Sequence, residues 1–189
     1  MASSSAPAAR PAVDPGPPAR VVAVLVALGV ACIFVVQLLG ISAATPGNDG
    51  EGGAWHPAES RAEKLVARMD GRAFAQTAAD PLMRRTVDDY HGEAGKAAYR
   101  ASRPLPGWLF LVGSLGGSRP LLAPSMLLVS ALAIGWAVCS VDLLGQALGL
   151  RVRHLALLVA SPAIVTSIAY PGLGDPIGMA LTLTALAAW

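Results

Sequence analysis

The sequence predicts an all-helical, multi-pass integral membrane protein whose first extracytoplasmic loop carries short amphipathic helices. Hydrophobic residues make up 54% of the 189 residues and charged residues only 14%, whereas a soluble domain normally has about a quarter charged residues. Long apolar runs alternate with short polar segments. Nine of the 14 basic and nine of the 12 acidic residues lie in residues 41–104, so the charge is concentrated in one loop.

The same composition argues against several classes of protein. A net charge of +2 provides no electrostatic basis for binding nucleic acid. The two cysteines, Cys32 and Cys139, both lie in apolar runs, a placement that fits neither a disulfide framework nor metal-ligand spacing. We therefore expect both cysteines to act as small buried hydrophobic residues.

The N-terminal part of the chain reads as a tail followed by a membrane anchor. Residues 1–20 are rich in Ala, Pro and Ser, which predicts a disordered cytoplasmic tail. Residues 21–42 are almost continuously apolar and reach about 30 Å as a helix, enough to cross a bilayer. A signal peptide is the alternative, because Ser42-Ala43-Ala44 resembles a cleavage site. The run exceeds the usual apolar region of roughly 7–15 residues, which favours an uncleaved anchor.

Residues 43–104 form the predicted extracytoplasmic loop. Ser60 and Glu63 have the spacing of a capping box, and apolar residues recur at helical spacing from Ala62 to Met69. We expect a short amphipathic helix here and a second one from Ala73 to Ala79, ending at Asp80-Pro81.

The C-terminal half contains a further series of apolar runs. Residues 105–117 reach only about 20 Å as a helix, which predicts a re-entrant or interfacial helix, interrupted by Ser118-Arg119-Pro120. Transmembrane helices are expected at 121–145 and 155–170, and residues 175–189 read as the start of a fourth. Because the last run is short for a span, we expect the chain to be the N-terminal fragment of a larger polytopic protein.

Basic residues predict the orientation in the plasma membrane. Arg10 and Arg20 place the N-terminus in the cytoplasm, and the basic connector 151–154 should also be cytoplasmic. Residues 105–117 therefore should not cross the bilayer. The turn at residues 170–175 then lies outside, on the same side as the long loop.

Several polar residues are candidates for chemistry, and each has an ordinary alternative. Asp70 lies near the C-terminal end of a predicted helix, where its charge opposes the helix dipole, although it could form a turn or cap the next helix. Arg100 and Arg103 lie where the chain meets the membrane and suit phosphate, although they could simply mark topology. Asp175 before Pro176 fits an N-cap with proline at the first helical position.

Short motifs give the chain a resemblance to actinobacterial polytopic membrane proteins related to GT-C-type glycosyltransferases, over roughly residues 65 to 189. The matching elements are Asp70-Gly71 with Phe74, Ala79-Asp80-Pro81-Leu82, Tyr99-Arg100, Arg103, Pro106 with Trp108-Leu109, and Gly174-Asp175-Pro176.

The resemblance implies an enzyme that transfers a hexose from a polyprenyl-phosphate donor to an extracytoplasmic acceptor. It implies that Asp70 is the catalytic base, that Arg100 or Arg103 stabilises the departing lipid phosphate, and that Asp80 or Asp175 orients the acceptor. It implies no cofactor, leaves a divalent metal open, and gives the bilayer and the lipid-linked sugar as partners.

The chain departs from the family pattern in two respects. Aromatic residues are sparse around Asp70-Gly71, and the later spans that would complete a donor site are missing, so we expect the fragment to be inactive. A non-catalytic scaffold that binds a partner through its loop is one alternative. A transporter subunit is the other, although nearly charge-free spans argue against it.

Overall fold

The computed structural model describes residues 19–41, 60–67, 71–82, 84, 104–149 and 161–189. These residues form helices and no strand, which confirms the predicted all-α class. The helices are α1 (Ala19–Gly40), α2 (Arg61–Val66), α3 (Gly71–Ala79), α4 (Leu105–Gly113), α5 (Arg119–Ala147), α6 (Pro162–Ala169) and α7 (Asp175–Ala188).

Two of these helices are long and apolar enough to cross a membrane. They are α1, with 22 residues and a mean hydropathy of 2.9 over an 18-residue window, and α5, with 29 residues and a mean hydropathy of 2.1 over such a window. Their length and composition point to a membrane location. Helix α7 is shorter, at 14 residues. The predicted tail (1–20) and the predicted span at 155–170 lie partly outside the described residues.

Helices α1 and α5 pack closely because a glycine lies between them. A Cβ atom at Gly135 would lie 2.7 Å from the carbonyl oxygen of Ala23 and 3.0 Å from the Cβ of Ala27. Gln37, farther along α1, donates a hydrogen bond of 3.0 Å to the carbonyl of Ile168 at the end of α6. Small residues and interhelical hydrogen bonds of this kind are the usual source of helix association in lipid.

Helix α7 lies on α5 and runs in the same direction. Ser130 of α5 accepts a hydrogen bond of 3.1 Å from the backbone N–H of Gly172, just before α7. Ten residues farther along α5, the hydroxyls of Ser140 and Thr184 are 2.8 Å apart. Both helices therefore begin at one end of the bundle, which we call the loop end. It comprises α2, α3, residues 170–174 and the first turns of α4, α5 and α7.

Helix α2 begins with the capping box that the sequence predicts. The Ser60 hydroxyl accepts from the N–H of Glu63 at 3.1 Å, and the Glu63 carboxylate accepts from the N–H of Ser60 at 3.0 Å. The other Glu63 oxygen pairs with Nε of Arg119 at 3.2 Å, which links α2 to the start of α5. The predicted interruption at Ser118-Arg119-Pro120 is present in part, because residues 114–118 separate α4 from α5. Helix α5 already begins at Arg119, because proline is tolerated in a first turn.

An apolar cluster fills the loop end. Its fully or nearly fully buried members come from α2, α3, α4, α5 and α7: Val66, Ala67, Phe74, Ala75, Ala78, Phe110, Leu122, Ala123, Met126, Ala133 and Ile177. The short helices are therefore packed onto the bundle by apolar contacts.

The α1–α5 contact predicts that alanine substitutions at two glycines change the free energy of unfolding in different directions. Gly135→Ala should lower the free energy of unfolding by about 1–3 kcal/mol, because its methyl group overpacks against α1. Gly29→Ala on α1 should leave it unchanged or raise it by up to about 1 kcal/mol, since a Cβ there meets nothing within 4 Å and alanine favours the helix. Unfolding in mixed micelles, followed by circular dichroism, measures both. Equal effects of the two substitutions would contradict the close contact.

Candidate functional site

The predicted site residues fall into two groups. Asp70, Arg100 and Arg103 lie outside the described residues. Asp80 and Asp175 lie within them, at two different positions of the loop end. Asp80 follows the last residue of α3 and its N–H donates to the carbonyl of Gln76 at 2.8 Å. Asp175 is the exposed first residue of α7.

Residues 170–174 pack against the start of α3. A Cβ atom at Gly172 would lie 3.5 Å from the Cα of Gly71, and one at Gly71 would lie 3.4 Å from the carbonyl oxygen of Pro171. Gly172 has a φ of 94°, a left-handed conformation that glycine adopts without strain. Two segments that are about 100 positions apart in the sequence therefore meet through their backbones, and Gly71 directly follows Asp70 in the sequence.

Two side chains hold this turn in place. Ser130 is 1% exposed and accepts from the N–H of Gly172. Gln37 donates to the carbonyl of Ile168, two residues before the turn begins. Sequence reasoning did not single out either residue. The available signal was a lone glutamine in one long apolar run and one of three serines in another, since a polar group in such a run usually has a hydrogen-bond partner.

Helix α4 is tied to the end of α3. The indole N–H of Trp108 donates to the carbonyl of Pro81 at 3.3 Å, so the segment after Asp80 contacts the first turn of α4. A Cβ atom at Gly107 would lie 2.6 Å from the Cβ of Thr77. The absence of a side chain at this position lets the two helices approach.

Helices α3, α4 and α7 meet at Gly174. A Cβ atom there would lie 2.7 Å from Cγ of Pro106 and 3.1 Å from Cζ of Phe74. Any larger residue would push the ring of Phe74 or the start of α4 away. The position just before Asp175 thus fixes three helices relative to one another.

A pocket of about 520 Å³ lies beside this junction, within the range typical of small-molecule sites. Most of its lining is apolar, and Asp175 is the one ionisable side chain among the lining residues. They are Phe74, Pro104, Leu105, Pro106, Gly174, Asp175, Ile177, Gly178, Met179 and Thr182. The arrangement suits a ligand that is apolar over most of its surface and polar at one end.

A second pocket, of about 330 Å³, is lined by Ser60, Glu63, Arg119, Pro120 and Ala123. Its two charged side chains form the Glu63–Arg119 ion pair, and Glu63 is also part of the capping box. We therefore assign this pocket a structural role. In the described part of the chain, no group of three or more His, Cys, Asp or Glu side chains is placed to hold a metal ion.

The sequence interpretation of Asp175 as an N-cap is wrong. The N-cap of α7 is Gly174, with helical backbone angles of −80° and −12°, and no side-chain capping bond forms. Asp175 is one residue inside the helix because Gly174 already adopts the helical conformation. Its charge still lies in the first turn, where the helix dipole favours it, and its side chain is available to the pocket.

Comparison of the chain with known protein families, with curated proteins and with solved structures found no match.

The anchoring of the turn can be tested by removing one hydroxyl. Ser130→Ala leaves the buried N–H of Gly172 without its acceptor and should lower the free energy of unfolding by about 1–3 kcal/mol. Ser167→Ala is the matched control. Ser167 is equally buried, but its hydroxyl donates only to the carbonyl of Ala163 in its own helix. Chemical unfolding in detergent, with limited proteolysis at residues 170–174, measures both effects. A Ser130→Ala protein as stable and as resistant as the control would show that the bond does not anchor the turn.

Proposed function

We propose that these residues belong to a membrane glycosyltransferase-like protein that transfers a hexose from a polyprenyl-phosphate donor to an extracytoplasmic acceptor. The pocket beside Asp175 is part of the substrate site in this proposal. The loop end faces the outside of the plasma membrane, and the N-terminus lies in the cytoplasm. The two long apolar helices support a membrane location, where a polyprenyl-phosphate donor is also held.

One observation carries the proposal: the described elements of the glycosyltransferase resemblance lie together. Phe74 and Pro106 both approach Gly174 within van der Waals range. Pro81 is hydrogen-bonded to Trp108. Of these motif residues, Phe74, Pro106 and Gly174 line the pocket, and the Pro81–Trp108 bond ties the neighbouring part of α4 to the end of α3.

The contact of Gly71 with residues 171–172 extends this argument to the Asp-Gly motif. Asp70 adjoins Gly71 in the sequence, and Asp175 lies three residues after Gly172. Gly71 thus packs against the segment that leads into Asp175, one of the two candidates for orienting the acceptor. This contact is expected if Asp70 and Asp175 act on one acceptor.

In the proposed reaction, Asp70 takes the proton from the acceptor hydroxyl as its oxygen attacks the anomeric carbon. The bond between that carbon and the phosphate oxygen breaks, and the polyprenyl phosphate leaves with the electron pair. Arg100 or Arg103 stabilises the negative charge that develops on this leaving group. Asp175 and Asp80 remain the candidates for orienting the acceptor.

Sugar transfer in membranes by the protein expressed from its complete reading frame tests this proposal. Asp70→Asn should reduce transfer from a radiolabelled polyprenyl-phosphate hexose by about 10²–10⁴-fold, the usual contribution of a general base. Asp14→Asn, in the predicted cytoplasmic tail, is the matched control and should leave transfer unchanged. Membranes without the protein give the background.

Two results would count against the proposal in different ways. Full transfer by the Asp70→Asn protein would remove Asp70 from the mechanism. Transfer by the wild-type protein from the complete reading frame that is no higher than the background would overturn the proposed activity and favour the scaffold.

A further inference from the structure

We infer that the pocket beside Asp175 binds the acceptor, and that this acceptor is an amphiphile with an uncharged, hydroxyl-bearing head and an apolar chain. The head lies at Asp175, and the chain lies along α7 past Gly178 and Thr182. The inference rests on the proposed function for the acceptor role and for the choice of a hydroxylated rather than a cationic head.

The lining of the pocket gives the ligand its shape. Asp175, Gly178 and Thr182 are three and four positions apart, so they share one face of α7, over about 10 Å of helix. Phe74 and residues 104–106 form the facing apolar wall. The pocket therefore has a polar end and an elongated apolar part, which match a head and a chain.

Gly178 leaves room for that chain. A Cβ atom at this position would meet nothing within 4 Å, so no neighbouring group requires glycine there. A glycine in a helix interior destabilises the helix by roughly 0.5–1 kcal/mol relative to alanine. At this position the missing side chain adds to the open volume of the pocket, and a bound chain would fill that space.

Thr182 makes the far end of the pocket less polar than its residue type suggests. Its hydroxyl donates to the carbonyl of Gly178 at 2.9 Å. The donor is thus already used within the helix. Among the described lining residues, Asp175 is therefore the main side chain that can hydrogen-bond a polar group of a ligand.

The charge of Asp175 selects the kind of head. A carboxylate accepts hydrogen bonds from hydroxyl groups, and its negative charge repels a phosphate. The donor carries its phosphate between the sugar and the polyprenyl chain, so a donor chain in this pocket would bring the phosphate toward Asp175. An uncharged acceptor avoids this repulsion.

A photoreactive dodecyl glucoside, with a diazirine at the end of its chain, tests the inference on the full protein in lipid nanodiscs. We expect saturable labelling of the wild-type protein, competed by unlabelled dodecyl glucoside. Dodecyl phosphate should compete about tenfold more weakly, a difference of about 1.4 kcal/mol. Asp175→Asn should reduce that preference.

A pair of glycine substitutions provides the matched control. Gly178→Leu should lower labelling by about tenfold or more, because leucine fills the space of the chain. Gly29→Leu adds the same side chain to another helix where a Cβ meets nothing within 4 Å, and it should leave labelling unchanged.

Three results would overturn the inference: labelling of Gly178→Leu at the wild-type level, equal competition by dodecyl phosphate, or stronger competition by dodecyl trimethylammonium. Its failure is distinguishable from failure of the proposed function. Sugar transfer without saturable glucoside labelling would support the proposed enzyme activity and would show that this pocket is not the acceptor site. Saturable labelling without sugar transfer would leave an amphiphile site on a protein that is not a transferase.

Discussion

The contact between residues 170–174 and the start of α3 is the constraint on which the loop end depends. Gly71 and Gly172 meet through their backbones, and Ser130 holds the turn from below by its hydrogen bond to Gly172. This contact sets where α7 begins, and so places Gly174 against Phe74 and forms one wall of the pocket. A side chain at Gly71 would clash with the carbonyl oxygen of Val66, and one at Gly172 would displace the methyl group of Met126 and adopt a strained φ.

The bundle beneath the loop end combines close approach of its helices with a buried apolar cluster that includes Phe34, Ile134 and Ile164. Lipid is as apolar as leucine, so burying leucine between helices gains little in a bilayer. The α1–α5 and α5–α7 contacts accordingly use Gly135 and the Ser140–Thr184 pair. Large side chains such as Leu25, Val36 and Leu128 are exposed on the bundle surface, as expected for helices that face lipid.

Local features of the fold could be predicted from the sequence, because they depend on neighbouring residues. Composition and apolar run length predict the all-α class and the long helices, and the Ser60–Glu63 spacing predicts the capping box. The start of α5 and the position of Asp175 were missed by one or two residues. In both cases the local backbone, with proline in the first turn or glycine at the cap, decided the boundary. The long-range contacts, Gly71 with Gly172 and Trp108 with Pro81, leave no periodic signal in the sequence. For the candidate site, the sequence therefore supplied the acid at residue 175 but neither the pocket around it nor Ser130 and Gln37. Asp70, Arg100 and Arg103 stay predictions.

The most direct test of the account is to map where a photoreactive polyprenyl-phosphate hexose attaches to the full chain in lipid nanodiscs. The account predicts saturable attachment at the loop end, on peptides that contain Arg103 or α4 and not on α7, and competition by the unmodified donor. Attachment spread along the lipid-facing side of α1, with no competition by the donor, would contradict the claim that the loop end is a substrate site.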